Sequence, residues 1–96
     1  MSKKEKIKEY KIELNKVFLK AGSDTKLMLE FLQDMMTPSE FDKLAVRWQI
    51  IKRLNNGDTH REIAGELGIG ISTVTRGARE LRNKKGGFAL MLDKMK

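Results

Sequence analysis

Residues 59–82 read THREIAGELGIGISTVTRGARELR, and this stretch decides the fold of the chain. Its first half places apolar residues at helical spacing, namely Ile63, Ala64 and Leu67. Gly68 follows them and supplies the positive φ that a sharp turn requires and that a residue with a Cβ resists. Ile69 is placed to fill the turn, and Val74 to pack back from a second helix. This spacing predicts a helix-turn-helix over about residues 59–84, with two short helices that cross at a steep angle.

Four more helices are predicted outside this motif, so we expect an all-α fold of about six helices. One runs from residue 3 to about residue 21, and another covers residues 27–36. The next starts at a capping signature, in which Thr37 caps, Pro38 occupies the first turn and Glu40 closes a capping box. The last is a short amphipathic helix near the C-terminus. The length of the chain predicts a single domain, residues 1–96.

The first helix carries an apolar seam whose spacings alternate between three and four residues. The seam consists of Ile7, Tyr10, Leu14, Val17 and Ala21. This spacing suits the packing of one helix against another, although three heptads are too few for a coiled coil. We interpret the segment as an amphipathic helix whose partner lies in another chain.

The charge balance predicts attraction to polyanions. Lys and Arg number 20 against 13 Asp and Glu, a formal net charge of +7. Nucleic acid is the first candidate partner and an anionic membrane surface the second. Cysteine is absent, which excludes disulfides, and no apolar run is long enough to span a bilayer or to act as a signal peptide. We therefore expect a cytoplasmic protein without a membrane partner.

Residues that carry catalysis are scarce. The one histidine, His60, lies in the first turn of a predicted helix. Nucleophilic catalysis needs a base beside the nucleophile, and a metal site needs several ligands at suitable spacing. Carboxylates such as Glu62 and Glu66 serve helix caps and exposed faces instead. We predict that the protein is not an enzyme and that it holds no metal.

The start of the second motif helix is the candidate DNA-reading segment. It carries short hydroxyl and methyl groups on Ile71, Ser72, Thr73 and Thr75. Such groups approach base edges closely, including the methyl group of thymine. Ser72 is also predicted to cap this helix. Positive charge for the phosphate backbone is supplied by Arg61, Arg79, Arg82, Lys84 and Lys85. The alternative interpretation is that Thr73 and Thr75 are capping-region residues only.

Gly77 breaks the pattern of its helix, because a generic motif would place an apolar packing residue there. Glycine costs about 1 kcal/mol relative to alanine inside a helix. A local rule broken at one place often marks function. Two interpretations remain open: the missing side chain leaves room for a small molecule beside Arg76, or it lets a neighbouring helix pack closely.

With these residues in place, the chain resembles the tryptophan repressor family. The resemblance covers about residues 31–81 and is carried by Met36-Thr37-Pro38, by Arg47 and by Arg61-Glu62 through GELGIGISTVTRG. Its most specific part is the TRG at residues 75–77. The resemblance implies intertwined all-helical homodimers that repress transcription when L-tryptophan binds as corepressor.

The resemblance also implies roles for individual residues. Arg47 and Arg76 would flank the indole ring, a cation–π sandwich, and Gly77 would leave space for it. Arg76 and Thr37 would hold the ligand carboxylate, and the backbone carbonyls of Asp34 and Met36 would help hold its amino group. Glu80 stands near that group, where the family has a serine. The implied DNA contacts are Arg61, Gly70, Ile71, Ser72, Thr73, Thr75 and Arg82.

We therefore predict a homodimeric, sequence-specific repressor of transcription that binds an operator in double-stranded DNA and is activated by L-tryptophan. Two alternatives stay open. One is a similar DNA binder that is constitutive or answers another small amine, which the carboxylate of Glu80 favours. The other is a helical protein-interaction module that uses the first two helices.

Overall fold

The computed structural model describes all 96 residues and contains six helices and no strand. The helices are α1 (Lys3–Ala21), α2 (Thr25–Met35), α3 (Pro38–Asn55), α4 (His60–Leu67), α5 (Ile71–Leu81) and α6 (Gly87–Lys94). The predicted all-α class is confirmed. None of the six is long and apolar enough to cross a membrane. The chain divides into two compact units, Met1–Phe41 and Asp42–Lys96, which are described separately.

The first unit contains two helices that pack on each other yet bury almost nothing. Phe18 of α1 meets Phe31 of α2 edge to face, with ring centroids 5.5 Å apart. Ala21 is the one buried residue of either helix. Large apolar side chains stay exposed along both helices: Ile7, Tyr10, Ile12, Val17, Leu19, Leu27, Leu29 and Met35. This unit therefore has apolar surface that the single chain does not cover.

The capping box predicted at the start of α3 forms, and the side chain of Thr59 caps the start of α4. At the start of α3 the Thr37 amide donates to Glu40 Oε1 (2.9 Å), and the Glu40 amide donates to Thr37 Oγ1 (3.2 Å). At the start of α4 the Glu62 amide donates to Thr59 Oγ1 (3.1 Å). These bonds satisfy amide groups that a helix start leaves without partners. The prediction of where α3 begins is confirmed.

The core of the second unit lies between α3 and the helix-turn-helix. Its buried members are Ile50, Ile63, Ala64 and Val74, with Val46, Leu54, Leu67 and Ile69 packed against them. Gly68 ends α4 in the left-handed conformation (φ 66°, ψ 39°). The Ile69 amide then donates to the Ala64 carbonyl (3.0 Å). The glycine turn, the filling of the turn by Ile69 and the packing of Val74 are confirmed.

Two boundary predictions for α5 are wrong. Ser72 does not cap the helix: Gly70 is the N-cap residue, with extended backbone (φ −72°, ψ 147°), and no side chain caps α5. Ser72 instead lies within the first turn, because the Thr73 amide already donates to the Gly70 carbonyl (3.1 Å). The helix ends at Leu81 and not near Lys84, since Asn83 closes a turn by accepting the Lys85 amide on Oδ1 (3.1 Å).

An arginine ties the end of α3 to α4. Arg53 Nε donates to Asp58 Oδ2 at 2.8 Å, and its guanidinium also pairs with Glu66 of α4. The hydrogen bonds to Asp58 and Glu66 raise the pKa of Arg53 above its ordinary value. Asp58 lies in the turn between the helices, so this cluster fixes the approach of α4 to α3 through side chains as well as through the core.

Gly77 allows α3 and α5 to approach closely. A Cβ at this position would lie 3.0 Å from Cγ2 of Ile50, 3.6 Å from Ile51 and 3.8 Å from Leu54. The first distance is shorter than ordinary van der Waals contact, and Ile50 is buried and β-branched, so it has little freedom to move. Helix packing therefore accounts for the glycine, as one of the two sequence interpretations proposed.

Candidate functional site

A cleft of about 680 Å³ opens beside α5 in the second unit. Its walls come from α3, from Ile69 in the turn, from α5 and from Phe88 of α6. The volume lies within the range of ordinary ligand sites. A depression of about 510 Å³ at the end of α3 is lined by polar residues alone and offers no apolar wall to a ring.

Four of the residues predicted to bind a ligand line this cleft together: Arg47, Arg76, Gly77 and Glu80. Arg47 comes from α3 and the other three from α5, so the cleft brings residues about thirty positions apart to one place. Gly77 lines it although a Cβ there would point toward Ile50. The part that each residue takes in binding stays a prediction.

The cleft combines charges of both signs with an apolar floor. Lys43, Arg47 and Arg76 are cationic, and Asp42 and Glu80 are anionic. The apolar lining consists of Val46, Ile50, Ile69 and Phe88. Such a lining can hold a flat apolar group while its charges orient a carboxylate and an ammonium group. The chemistry of the cleft therefore fits a zwitterion with an apolar side chain.

The other three predicted ligand residues, Asp34, Met36 and Thr37, belong to the first unit and do not line this cleft. Their polar groups are nevertheless available. The carbonyl of Asp34 lacks its regular helical donor because the residue four positions later is Pro38, which has no N–H. The carbonyl of Met36 lacks one because the Glu40 amide donates to Thr37 Oγ1. Their part in ligand binding stays a prediction.

The start of α5 presents the predicted DNA contacts to the surface. Gly70, Ile71, Ser72 and Thr73 are exposed, and Ile71 keeps 49% of its surface accessible. A half-exposed isoleucine at a helix start provides an apolar contact of the kind that the thymine methyl group accepts. Arg61 on α4 and Arg82 at the end of α5 are exposed as well. Whether these side chains contact DNA stays a prediction.

Thr75 is more enclosed than the residues before it and links α5 to α4. Its hydroxyl donates to the Ile71 carbonyl one turn earlier (3.0 Å). On the other side, Thr75 Oγ1 lies 3.5 Å from Nδ1 of His60. The hydroxyl proton is thus used inside the helix, and the oxygen keeps a lone pair for other donors.

Sequence reasoning did not predict several cleft residues: Asp42, Lys43, Val46, Ile50, Ile69 and Phe88. For α3 a signal was present, because Lys43, Val46, Arg47 and Ile50 recur at helical spacing and share a face. Phe88 offered no such signal, since its place depends on how α6 packs against α5. Thr73 was assigned to DNA alone, yet it also lines the cleft.

Comparison with known proteins supports the resemblance. A family model described as Trp repressor protein matches residues 13–96. The Trp operon repressor homolog of Vibrio parahaemolyticus is 36% identical over 67 residues, 69% of this chain and 65% of that protein. The homologs of Vibrio campbellii (43% over 51 residues, 52% and 51%) and Photobacterium profundum (39% over 54 residues, 55% and 52%) are also similar.

These matches span between about half and two-thirds of the length of the relatives. The family match is wider, since it takes in the helix-turn-helix, the cleft and the second half of α1. The chain belongs to the Trp repressor family.

Proposed function

We propose that the protein is a sequence-specific, DNA-binding repressor of transcription that acts as a homodimer with L-tryptophan as corepressor. The observation that carries this proposal is that α5 contributes both to the exposed surface and to the wall of the cleft. Its first turn is exposed, while Thr73, Arg76 and Gly77 of the same helix line the cleft. Membership of the Trp repressor family supports this role, because the family is one of regulators and not of enzymes.

Dimerisation accounts for the apolar surface of Met1–Phe41. With Ala21 alone buried in its two helices, this unit has no core of its own, and segments of about 40 residues seldom fold without further stabilisation. Tyr10 and Leu19 keep 61% and 70% of their surfaces exposed. Exposed apolar area on this scale marks an interaction surface. A second copy of the chain is the partner that fits the proposed function.

L-tryptophan fits the cleft by shape and charge. Its indole ring would lie on the apolar lining between Arg47 and Arg76, whose guanidinium groups attract the faces of an aromatic ring. Arg76 would also hold the carboxylate through a charge-assisted hydrogen bond. The ammonium group would face the carboxylate of Glu80.

The ligand would act by fixing the orientation of α5. In helix-turn-helix dimers, the tryptophan repressor among them, the two half-sites lie about 34 Å apart, one turn of DNA. The separation of the two α5 helices must match this distance. A ligand held between α3 and α5 favours the orientation in which it binds best, and so shifts the population toward the DNA-competent dimer.

The first test is the salt dependence of DNA binding. For the wild-type protein and a mixed-sequence duplex, we expect the logarithm of the association constant to fall linearly with the logarithm of salt concentration. The slope should be about −0.9 for each phosphate neutralised. Fluorescence anisotropy of a labelled duplex measures it. Binding that is absent or indifferent to salt would contradict the DNA proposal and favour the protein-interaction module.

Thr73→Ala should weaken binding to an operator about tenfold and leave binding to mixed-sequence DNA nearly unchanged. The reason is that Thr73 is exposed in the first turn of α5, where its methyl and hydroxyl groups can meet base edges. An operator selected from a random library serves as the specific duplex. Equal weakening on both duplexes would mean that Thr73 acts through the helix or the cleft and does not read sequence.

A second candidate function is favoured by Glu80. A carboxylate in the cleft selects ligands that carry an ammonium group, and an amine other than L-tryptophan would satisfy it equally. Glu80→Ser restores the residue type that the resemblance implies. A rise in tryptophan affinity on this substitution would identify Glu80 as a selector of another ligand, and a fall would identify it as the ammonium partner.

A further inference from the structure

We propose that Phe88 determines which class of ligand the cleft accepts, by forming an aromatic wall that favours flat aromatic side chains over saturated ones. The inference rests on the proposed function and extends it, because it adds a ligand contact from α6 to those from α3 and α5. Phe88 is the second residue of α6, is half-buried and lines the cleft.

Phe88 is the one aromatic residue of the cleft lining. The other apolar members, Val46, Ile50 and Ile69, are aliphatic. These three also belong to the core of the second unit or pack against it, whereas Phe88 is not part of that core. Core packing therefore accounts for the aliphatic side chains of the cleft. It does not account for the ring of Phe88, which lines the cleft without joining the core.

The turn between α5 and α6 holds Phe88 in place through Asn83. The Asn83 side chain accepts the Lys85 amide on Oδ1 (3.1 Å), and its backbone carbonyl accepts the Gly86 amide (2.9 Å). Gly86 is the N-cap residue of α6, and its carbonyl accepts the Leu90 amide at 3.1 Å. Phe88 follows two residues later, so this closed turn and the packing of α6 against α5 together fix its position.

Gly86 is required for this turn because Asn83 lies against it. A Cβ at Gly86 would lie 3.1 Å from both Nδ2 and the carbonyl oxygen of Asn83. The oxygen belongs to the backbone that closes the turn, so it cannot move aside without changing the turn. A Cβ at the neighbouring Gly87 meets nothing within 4 Å. Gly86 is therefore a positioning residue for Phe88, and Gly87 is not.

The faces and the edge of a bound aromatic ring would then meet different parts of the cleft. The guanidinium groups of Arg47 and Arg76 attract the faces of the ring. Its edge, which carries the positive part of the ring quadrupole, is left for Phe88. Aromatic rings favour such edge-to-face contact, which contributes affinity beyond the area that it buries. A saturated ring has no quadrupole, so it gains from burial alone.

The test is isothermal titration of wild-type protein, Phe88→Leu and Phe88→Tyr with L-tryptophan. Leucine keeps a large apolar side chain without a ring, and tyrosine keeps the ring. We expect Phe88→Leu to lower the affinity roughly three- to tenfold, the worth of an edge-to-face pair, and Phe88→Tyr to retain most of it. Leu90→Ala is the control, because Leu90 lies on the same helix, is exposed and does not line the cleft.

A saturated ligand separates selection by class from the mere presence of a wall. β-Cyclohexyl-L-alanine carries the same charged groups as L-tryptophan, and its binding is measured by displacement of L-tryptophan. Wild-type protein should prefer L-tryptophan, and Phe88→Leu should narrow that preference roughly three- to tenfold, because only the aromatic ligand loses a contact. Equal losses for the two ligands, no loss for either, or equal losses in Phe88→Leu and Phe88→Tyr would overturn the proposal.

Gly86→Ala and Gly87→Ala form a second pair that leaves the ring in place. Gly86→Ala should weaken L-tryptophan binding in the wild type and add little in Phe88→Leu, because its effect passes through Phe88. Gly87→Ala should change neither. Equal effects of Gly86→Ala in both backgrounds would overturn its positioning role. Absence of L-tryptophan binding by the wild type would overturn the proposed corepressor and this inference with it, a result distinguishable from the others.

Discussion

Arg76→Met is expected to lower the affinity for L-tryptophan about 30-fold or more. The substitution would remove the proposed charge-assisted hydrogen bond to the ligand carboxylate, worth about 1.5–3 kcal/mol, and the proposed cation–π contact to the indole ring. Methionine keeps an unbranched apolar stem of similar reach, so the wall of the cleft remains. Isothermal titration of the folded protein with L-tryptophan measures the loss, and one ligand per chain is the expected stoichiometry.

Arg79→Met is the matched control, because Arg79 is an exposed arginine of the same helix that does not line the cleft. It should bind L-tryptophan as the wild type does. Titration with indole propionate, which lacks the amino group, isolates the ammonium contacts and should give much weaker binding. If Arg76→Met bound tryptophan as tightly as Arg79→Met, the proposed pocket would be wrong even if DNA binding held.

Gly77→Val is expected to lower the free energy of unfolding by about 1–3 kcal/mol. Its Cβ would lie 3.0 Å from Ile50 Cγ2, and its two further methyl groups would press against a buried, closely packed wall. Each kcal/mol lowers the Tm of a domain of this size by about 4–8 °C. Thermal unfolding followed by circular dichroism, at matched protein concentration, measures the change.

Gly65 of α4 provides the control, because a Cβ there meets nothing within 4 Å. Gly65→Ala should therefore raise the free energy of unfolding by up to about 1 kcal/mol, because alanine has the higher helix propensity. At Gly77 the contact with Ile50 opposes this gain. Ile50→Ala removes the clashing methyl group, so Gly77→Val should cost less in that background than in the wild type. A Gly77→Val protein as stable as the wild type would show that the glycine is not required for helix packing.

The sequence predicted those elements that local chemistry specifies. The capping box of Thr37 and Glu40 fixed the start of α3, and the glycine at position 68 fixed the turn of the motif. The start of α5 was misread because Gly70 acts through its backbone and no side chain marks the cap. Helix α2 begins at Thr25, two residues before the prediction, because Asp24 accepts the Leu27 amide on Oδ1 (3.1 Å).

At the cleft, the sequence could not predict which residues tertiary packing brings together. Arg47, Arg76 and Glu80 could be singled out from the sequence by the resemblance, and the structure brings them to one cleft. Phe88 reaches the same cleft only because α6 packs against α5, which no local pattern encodes. The two interpretations of Gly77 were indistinguishable in the sequence, since the position of Ile50 opposite it depends on how α3 crosses α5.

Helix α5 belongs both to the ligand cleft and to the surface proposed to contact DNA, and this has a thermodynamic consequence. Coupling between two sites is reciprocal: if a ligand in the cleft raises the affinity of α5 for DNA by some factor, DNA raises the affinity of the cleft for that ligand by the same factor. Protein bound to its operator would thus keep its ligand at concentrations at which free protein has lost it. Release from the operator would then require the ligand to become scarcer than the level at which unbound protein loses it.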